Sequence, residues 1–307
     1  MSIPVIVNRT GGTAASRGDK LEEELAAAFA EAGLEIDLQL LDGGDVQDAI
    51  KRVADQPLVV VGGGDGTLGG AAGLLGKAGA TLGILPLGTR NHLARELGVP
   101  LDLPGAAKLI AERHERRIDL ARVNGEPFVN NASVGLYPSL VRRRDVARKR
   151  HGVPKWLAAL PAAAGALANL RNDPLSLDTP ESRQAVKTPM LFVGNNRYAL
   201  EAGKIGKRET LDGGQLAVYA VAPKSPAGLA AFALRTIIGR ADPDFDFAAI
   251  GEMPEFTVSG PRPWIDIALD GEVKCLDLPL KFEIQPLGLT VAAPPHTVSL
   301  ECDTALP

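Results

Sequence analysis

The stretch GGGDGT at residues 62–67 directly follows the apolar run LVVV at residues 58–61. A β-branched apolar run that ends at three glycines and precedes a helix-like segment is typical of a buried strand entering a tight turn. In such a turn, backbone N–H groups converge on an anion, and the following helix offers its positive end. The stretch therefore predicts a phosphate-binding turn, with a simple Asp-Gly chain reversal as the alternative.

Asp65 stands out in this turn because a carboxylate repels a polyphosphate. A divalent cation or a donor-rich network between the two groups removes the repulsion, and Mg²⁺ is commonly bound by one or two carboxylates together with substrate phosphates. Asp65 therefore indicates Mg²⁺ held with nucleotide phosphates, while Thr67 adds a hydroxyl donor to the same turn.

The composition favours a two-domain protein without a general attraction to polyanions. The chain has 307 residues, of which 45% are hydrophobic, and its net charge is −4. This charge argues against nucleic acid as the partner. The two cysteines, Cys275 and Cys302, lack metal-ligand spacing and are too few for a disulfide framework. A reducing, cytoplasmic location is therefore expected.

The sequence predicts neither a signal peptide nor a membrane span. Residues 3–7 are apolar with no basic segment before them, which favours a first strand over a signal peptide. The longest apolar segment, at residues 157–170, contains Pro161 and is shorter than the roughly 20 residues that a spanning helix needs.

Strand and helix patterns alternate through the first part of the chain. Three of the strand patterns end in small polar residues, at 8–12, 62–67 and 88–91, and helical patterns separate the strands. This alternation predicts a doubly wound parallel α/β domain at residues 1–121. In such a domain, ligands bind beyond the carboxyl ends of the strands.

Residues 122–307 show strand patterns with few helices between them. The predicted strands are 128–132, 190–193, 216–221, 256–259, 265–269 and 280–284. This series predicts a β-rich antiparallel sandwich domain. The segment from about residue 286 is a candidate to return to the first domain.

Two motifs that follow each other along the chain resemble those of a known family. GGGDGT is followed by GILPLGTRNHLARELGVP at 83–100, and this pair resembles the catalytic domain of the diacylglycerol kinase family, particularly its bacterial soluble lipid kinase branch with sphingosine and ceramide kinase relatives. Supporting stretches extend over both predicted domains: VIVNRTGG at 5–12, FVNNASVGLY at 128–137, VGNNRY at 193–198, LDGGQLAVYAV at 211–221 and DGE at 270–272. The implied activity is transfer of the γ-phosphate of ATP to the hydroxyl of diacylglycerol or a related lipid.

NAD kinases are an alternative, because they share the GGDGT turn and a related two-domain fold. Their second signature is an Asn-Glu pair that reads ribose hydroxyls. Here the corresponding residues are Asn130, Asn131, Ala132 and Ser133, preceded by the PLGT-Arg-Asn stretch. The sequence therefore favours the lipid kinase.

The resemblance implies roles for individual residues. Those implied to bind ATP are Asn8, Thr10, Gly63, Gly64, Asp65, Gly66, Thr67, Gly88, Thr89 and Asn91. Asp65 would act through the Mg²⁺ of the nucleotide. In the family, the DGE stretch supplies a carboxylate that accepts the proton of the substrate hydroxyl, so the catalytic candidates are Glu272 first and Asp270 second, beside Asp65. From local sequence alone, DGE is equally typical of a hairpin turn.

Two positions depart from the family pattern. Many members have Gly-Asn-Asp or Ala-Asn-Asp after the Gly-Thr pair, where this chain has Arg90, Asn91 and His92. In the bacterial branch, a Leu-Asp-Asp-Gly stretch contributes to a structural Mg²⁺ site. Its second aspartate is Gly213 here, so that metal is not expected. These departures keep open a non-catalytic, lipid-binding pseudokinase.

A basic run precedes an apolar one in the second part of the chain. RRRDVARKRH occupies residues 142–151, from Arg142 to His151, and WLAALPAAAGALANL occupies 156–170, from Trp156 to Leu170. A cationic segment beside a Trp-bearing apolar helix is typical of a peripheral membrane contact. A solvated turn before a buried helix is the alternative. The first interpretation places the protein in the cytoplasm and at the inner face of the cell membrane.

Overall fold

The computed structural model describes residues 2–135, 138, 175–179, 182–198, 208–221, 228 and 247–295. The basic run at 142–151 and the apolar run at 156–170 lie outside these residues, so the predicted membrane contact stays a prediction.

The helices of the described part are α1 (Ala14–Arg17), α2 (Lys20–Glu31), α3 (Val46–Val53), α4 (Asp65–Ala78), α5 (His92–Leu97) and α6 (Leu103–Glu112). Its strands are β1 (Ile3–Asn8), β2 (Ile36–Leu41), β3 (Leu58–Gly63), β4 (Thr81–Pro86), β5 (Glu115–Val123), β6 (Glu126–Phe128), β7 (Asn131–Gly135), β8 (Leu175–Asp178), β9 (Arg183–Val186), β10 (Met190–Asn195), β11 (Leu216–Val221), β12 (Phe247–Met253), β13 (Glu255–Ser259), β14 (Trp264–Leu269), β15 (Glu272–Asp277) and β16 (Leu280–Ala292).

The first four strands form a parallel sheet in the order β2, β1, β3, β4. β3 and β4 are buried along their whole length, which explains why both read as continuous apolar runs and not as alternating ones. Helices α2 and α6 pack against each other, as do α3 and α4. The N-terminal part therefore has the predicted parallel α/β architecture, with the strand ends of β1, β3 and β4 at one edge.

β16 joins the parallel strands to the antiparallel ones within a single sheet. Near its end, Thr290 and Val291 pair in parallel with β4. The start of β16 pairs antiparallel with β13, and β5 pairs antiparallel with β16 from Phe282 to Ala292. The sheet then continues through β13 and β8 to β9. The end of β16 therefore lies beside β4. The division of the chain into two domains at residue 121 stays a prediction.

A second sheet is antiparallel throughout, in the order β12, β11, β10, β7, β14, β15. Its apolar side chains share one buried core with strands of the first sheet, as Val134 and Val218 do with Val258 and Phe282. The predicted β-rich antiparallel part is thereby confirmed. In contrast, the predicted strand at 128–132 is wrong as a continuous element, because β6 ends at Phe128 and β7 begins at Asn131.

In the part of the chain that the structure describes, no helix is both long and apolar enough to cross a membrane.

Helix α4 packs closely against β6 through a glycine. A Cβ at Gly73 would collide with the ring of Pro127. Overpacking of this kind costs about 1–3 kcal/mol, against the roughly 1 kcal/mol that alanine gains over glycine inside a helix. We therefore expect Gly73→Ala to lower the free energy of unfolding in urea. Gly44→Ala is the control, because nothing lies within 4 Å of a Cβ there. Equal stability of the two variants would contradict the packing.

Candidate active site

The phosphate turn (residues 62–67) lies against a second turn that follows β4. A Cβ at Gly88 would approach the Cα of Gly64 to 2.5 Å, so only glycine permits this contact. Asn91 fixes the second turn: its Oδ1 accepts a hydrogen bond from the Gly88 N–H at 2.8 Å, and its Nδ2 donates to the Pro86 carbonyl at 3.1 Å. Asn91 has φ of 53° and is buried, a conformation that asparagine tolerates better than most residues.

The end of β1 contributes the third part of this edge. Asn8 donates from Nδ2 to the Thr67 hydroxyl at 3.2 Å. Its Oδ1 accepts hydrogen bonds from the backbone N–H and the hydroxyl of Thr10, at 3.1 and 2.8 Å. The three polar strand ends predicted from the sequence therefore meet at one place, with Thr89 exposed at their rim.

Asp65 binds the start of α5. Its Oδ2 accepts from the His92 N–H and its Oδ1 from the Leu93 N–H, each at 3.2 Å. Both donors are free backbone groups in the first turn of a helix, where a carboxylate is favourable. The Asn130 Nδ2 donates to the same Oδ1 at 3.5 Å. Asp65 thus links the phosphate turn to α5 and to the loop between β6 and β7.

Asp270 and Glu272 lie against α4, the helix that begins in the phosphate turn. Asp270 and Gly271 both have positive φ, 47° and 88°, and form the two-residue turn of the β14–β15 hairpin. A Cβ at Gly69 would collide with the Asp270 carboxylate, and one at Gly66 with that of Glu272. The stretch is therefore a hairpin turn that also brings the Glu272 carboxylate to Gly66 of the phosphate turn and the Asp270 carboxylate to Gly69 of α4.

The carboxylate of Asp270 is partly buried and holds the loop before β7. It accepts backbone hydrogen bonds from Val129 and Asn130 at 2.8 Å and from Asn131 at 3.1 Å. Burial raises the pKa of Asp270 to about 6, because loss of water disfavours the anion more than these bonds and the charge of Arg208 favour it. The group is poised to change charge near neutral pH.

An ion pair that no sequence pattern indicated lies beside this loop. Arg208 donates from Nε to the Glu96 Oε2 at 2.9 Å, and its side chain is only 1% exposed. No periodicity or motif could have joined these residues, because they are 112 positions apart.

Gly213 lies beside a buried carboxylate that backbone and amide donors satisfy. Asp119 accepts from the Gly214 N–H at 2.6 Å, the Leu287 N–H at 2.7 Å and the Asn196 Nδ2 at 2.9 Å. Among the residues that the structure describes, no group of three or more His, Cys, Asp or Glu side chains is placed to hold a metal ion.

Comparison with known proteins agrees with this architecture. Residues 2–123 match the model of the diacylglycerol kinase catalytic domain. The chain is 30% identical over 283 residues to the Pseudomonas aeruginosa protein named "Probable lipid kinase YegS-like", covering 89% of this chain and 90% of that one. A Pseudomonas fluorescens protein of the same name is 30% identical over 282 residues, covering 89% and 92%.

A solved structure shares the fold. A diacylglycerol kinase from Bacillus anthracis superposes with a TM-score of 0.65 at 22% identity, covering 96% of this chain and 97% of that one. The chain belongs to the diacylglycerol kinase catalytic-domain family, among its YegS-like lipid kinases.

The raised pKa of Asp270 makes stability depend on pH. Because the folded-state pKa lies above the ordinary value of 3.8, this residue contributes stability that is complete below pH 3.8 and lost as the pH rises through about 6. The change corresponds to about 3 kcal/mol. We expect the free energy of unfolding of wild type, measured in urea, to fall between pH 4 and pH 7 by about 3 kcal/mol more than that of Asp270→Asn. A difference in unfolding free energy between the two proteins that does not change with pH would contradict the raised pKa of Asp270. Asp277→Asn, at an exposed position of β15, is the control.

Proposed function

We propose that the protein is an ATP-dependent kinase that phosphorylates the hydroxyl of diacylglycerol or a related lipid. The observation that carries the proposal is the position of the Asp270 and Glu272 carboxylates against the helix that starts in the phosphate turn. A glycine turn for phosphates and a carboxylate for the acceptor hydroxyl are the two parts that phosphoryl transfer to an alcohol requires.

The geometry of the turn suits nucleotide phosphates. Gly64 and Gly88 leave the surface between the two turns without side chains, so backbone groups can approach an anion. We propose that Asn8, Thr10, Gly63, Gly64, Gly66, Thr67, Gly88, Thr89 and Asn91 form this nucleotide site. Asp65 is the carboxylate of the turn, and one carboxylate suffices for an Mg²⁺ whose other ligands are phosphates and water. When bound, Mg²⁺ would neutralise charge on the phosphates.

Glu272 is our first candidate for the base and Asp270 the second. Glu272 is exposed beside Gly66, whereas the oxygens of Asp270 already accept three backbone hydrogen bonds. In the proposed step, the lipid oxygen forms a bond to the γ-phosphorus while the bond from that phosphorus to the β–γ bridging oxygen breaks. The hydroxyl proton passes to the carboxylate, and ADP leaves.

The lipid acceptor and the location are inferred from the family. Relatives are named as lipid kinases and diacylglycerol kinases. We propose phospholipid biosynthesis as the process that uses the phosphorylated lipid. We propose a cytoplasmic protein that contacts the inner face of the membrane through residues 142–151 and 156–170, as the sequence predicts.

A panel assay tests the activity. The purified protein is incubated with γ-labelled ATP, Mg²⁺ and diacylglycerol, ceramide, sphingosine or NAD. We expect label in a lipid, with none in NAD. Label in NAD alone would replace the proposal with an NAD kinase, and absence of label from every acceptor would replace it with a pseudokinase.

Paired substitutions test the base. We expect Glu272→Gln to lower kcat about a hundredfold, the lower end of what a general base contributes, with little change in the KM for ATP. Glu255→Gln, on the exposed surface of β13, is the control for loss of a carboxylate.

The outcome that would contradict this assignment is near-normal kcat in Glu272→Gln. If Asp270→Asn then loses activity while its melting temperature stays that of wild type, Asp270 and not Glu272 is the base.

A further inference from the structure

Arg208 sits at the junction of α5 and the loop before β7. Its backbone N–H and its Nε donate to the two carboxylate oxygens of Glu96 on α5, at 3.1 and 2.9 Å. Its Nη1 donates to the carbonyls of Val129 and Asn195, at 2.5 and 3.2 Å. Five donors in a rigid fork allow one guanidinium to join a helix to two separate backbone segments.

The Nη2 group of Arg208 determines how the Asn130 amide points. Nη2 donates to the Glu96 Oε2 and, at 3.3 Å, to the Asn130 Oδ1. A guanidinium can only donate, so the amide must turn its oxygen toward Arg208 and its NH₂ group away from it. That NH₂ group is the one that donates to Asp65. Reversing the amide would place its oxygen against the Asp65 carboxylate, which cannot donate when ionised.

The N–H and carbonyl of Asn130 have hydrogen-bond partners other than Arg208. Its N–H donates to Asp270, and its carbonyl accepts from the Asn195 N–H at 2.9 Å and from the Tyr198 hydroxyl at 3.2 Å. Arg208 therefore orients the side chain of Asn130 on a loop that Asp270 holds through three N–H groups and that Arg208 also binds at the Val129 carbonyl. These contacts form a closed ring. Glu96 binds Arg208, Arg208 binds Asn130, and Asn130 binds Asp65. Asp65 in turn binds the first turn of α5, the helix that carries Glu96.

We infer that Arg208 is a positioning residue for the Asp65 carboxylate of the phosphate turn, acting through the side-chain amide of Asn130. The inference rests on the proposed kinase function, since its measure is phosphoryl transfer. Arg208 makes no hydrogen bond described for this chain to the phosphate turn or to the DGE stretch. Its bonds to Glu96 on α5 and to the Val129 carbonyl are a second route toward the site, and removing the Asn130 amide separates that route from the one proposed here.

The test is a kinetic double-mutant cycle on the full chain with ATP, Mg²⁺ and the lipid that wild type phosphorylates. Lysine keeps the charge beside Glu96 but cannot reach the other partners as a fork. We expect Arg208→Lys to lower kcat roughly tenfold, since small misplacements of reacting groups cost one to two powers of ten. Arg197→Lys is the matched control, because Arg197 is 55% exposed and its pairs with Glu209 and Glu252 are 3.6 Å long.

The second arm removes the Asn130 amide. In an Asn130→Ala background we expect Arg208→Lys to cause no further loss of kcat, whereas a purely structural role would give the same fold loss in both backgrounds. If Arg208→Lys does not fold, Glu96→Gln replaces it in the same cycle, because it loosens the anchor of the guanidinium. Equal fold losses in the two backgrounds, or wild-type kcat in Arg208→Lys, would overturn the inference. Absence of transfer by wild type would overturn the proposed function instead.

Discussion

A partly buried carboxylate that must be hydrogen-bonded organises the site. Asp270 is shielded from water, and removing a charge from water without partners is costly, so three consecutive backbone N–H groups at residues 129–131 converge on it. Those N–H groups are consequently unavailable to a regular ladder at the point where β6 gives way to β7. The resulting loop carries Asn130 to Asp65 and thereby connects the hairpin of the second sheet to the phosphate turn.

Glycines on one face of α4 allow this helix to approach the β14–β15 hairpin, β6 and β16 closely. Gly66, Gly69, Gly73 and Gly76 are three or four residues apart and therefore share a face of the helix. Any Cβ on this face would collide in turn with Glu272, Asp270, Pro127 and the Gly288 carbonyl. The glycine-rich stretch thus has two physical functions: its first residues form the turn, and the later ones admit the hairpin and β16.

The parts of the fold that the sequence predicted are those with local causes. β3 and β4 are buried on both faces, so their continuous apolar runs identified them as strands. GGGDGT in turn marked the connection between β3 and α4. Exposed or mixed strands such as β9 and β15 gave no such pattern and were missed. Polar contacts between residues far apart in the chain could not be predicted either. Asp65 is unusual in the sequence, but its hydrogen bond to His92 forms only because the fold brings α5, 27 residues further along the chain, next to it. The roles of the site residues stay predictions.

Calorimetric titration of the full chain with ATP and Mg²⁺ tests the central claim, that the phosphate turn and Asp65 form a nucleotide site. We expect wild type to bind one ATP per chain, and Asp65→Ala to bind at least about tenfold more weakly, as a lost charged interaction of roughly 1.4 kcal/mol or more implies. Thermal unfolding of both proteins shows whether Asp65→Ala remains folded despite losing its bonds to α5. Absence of binding heat in wild type, or equal affinity in the folded variant, would contradict the account.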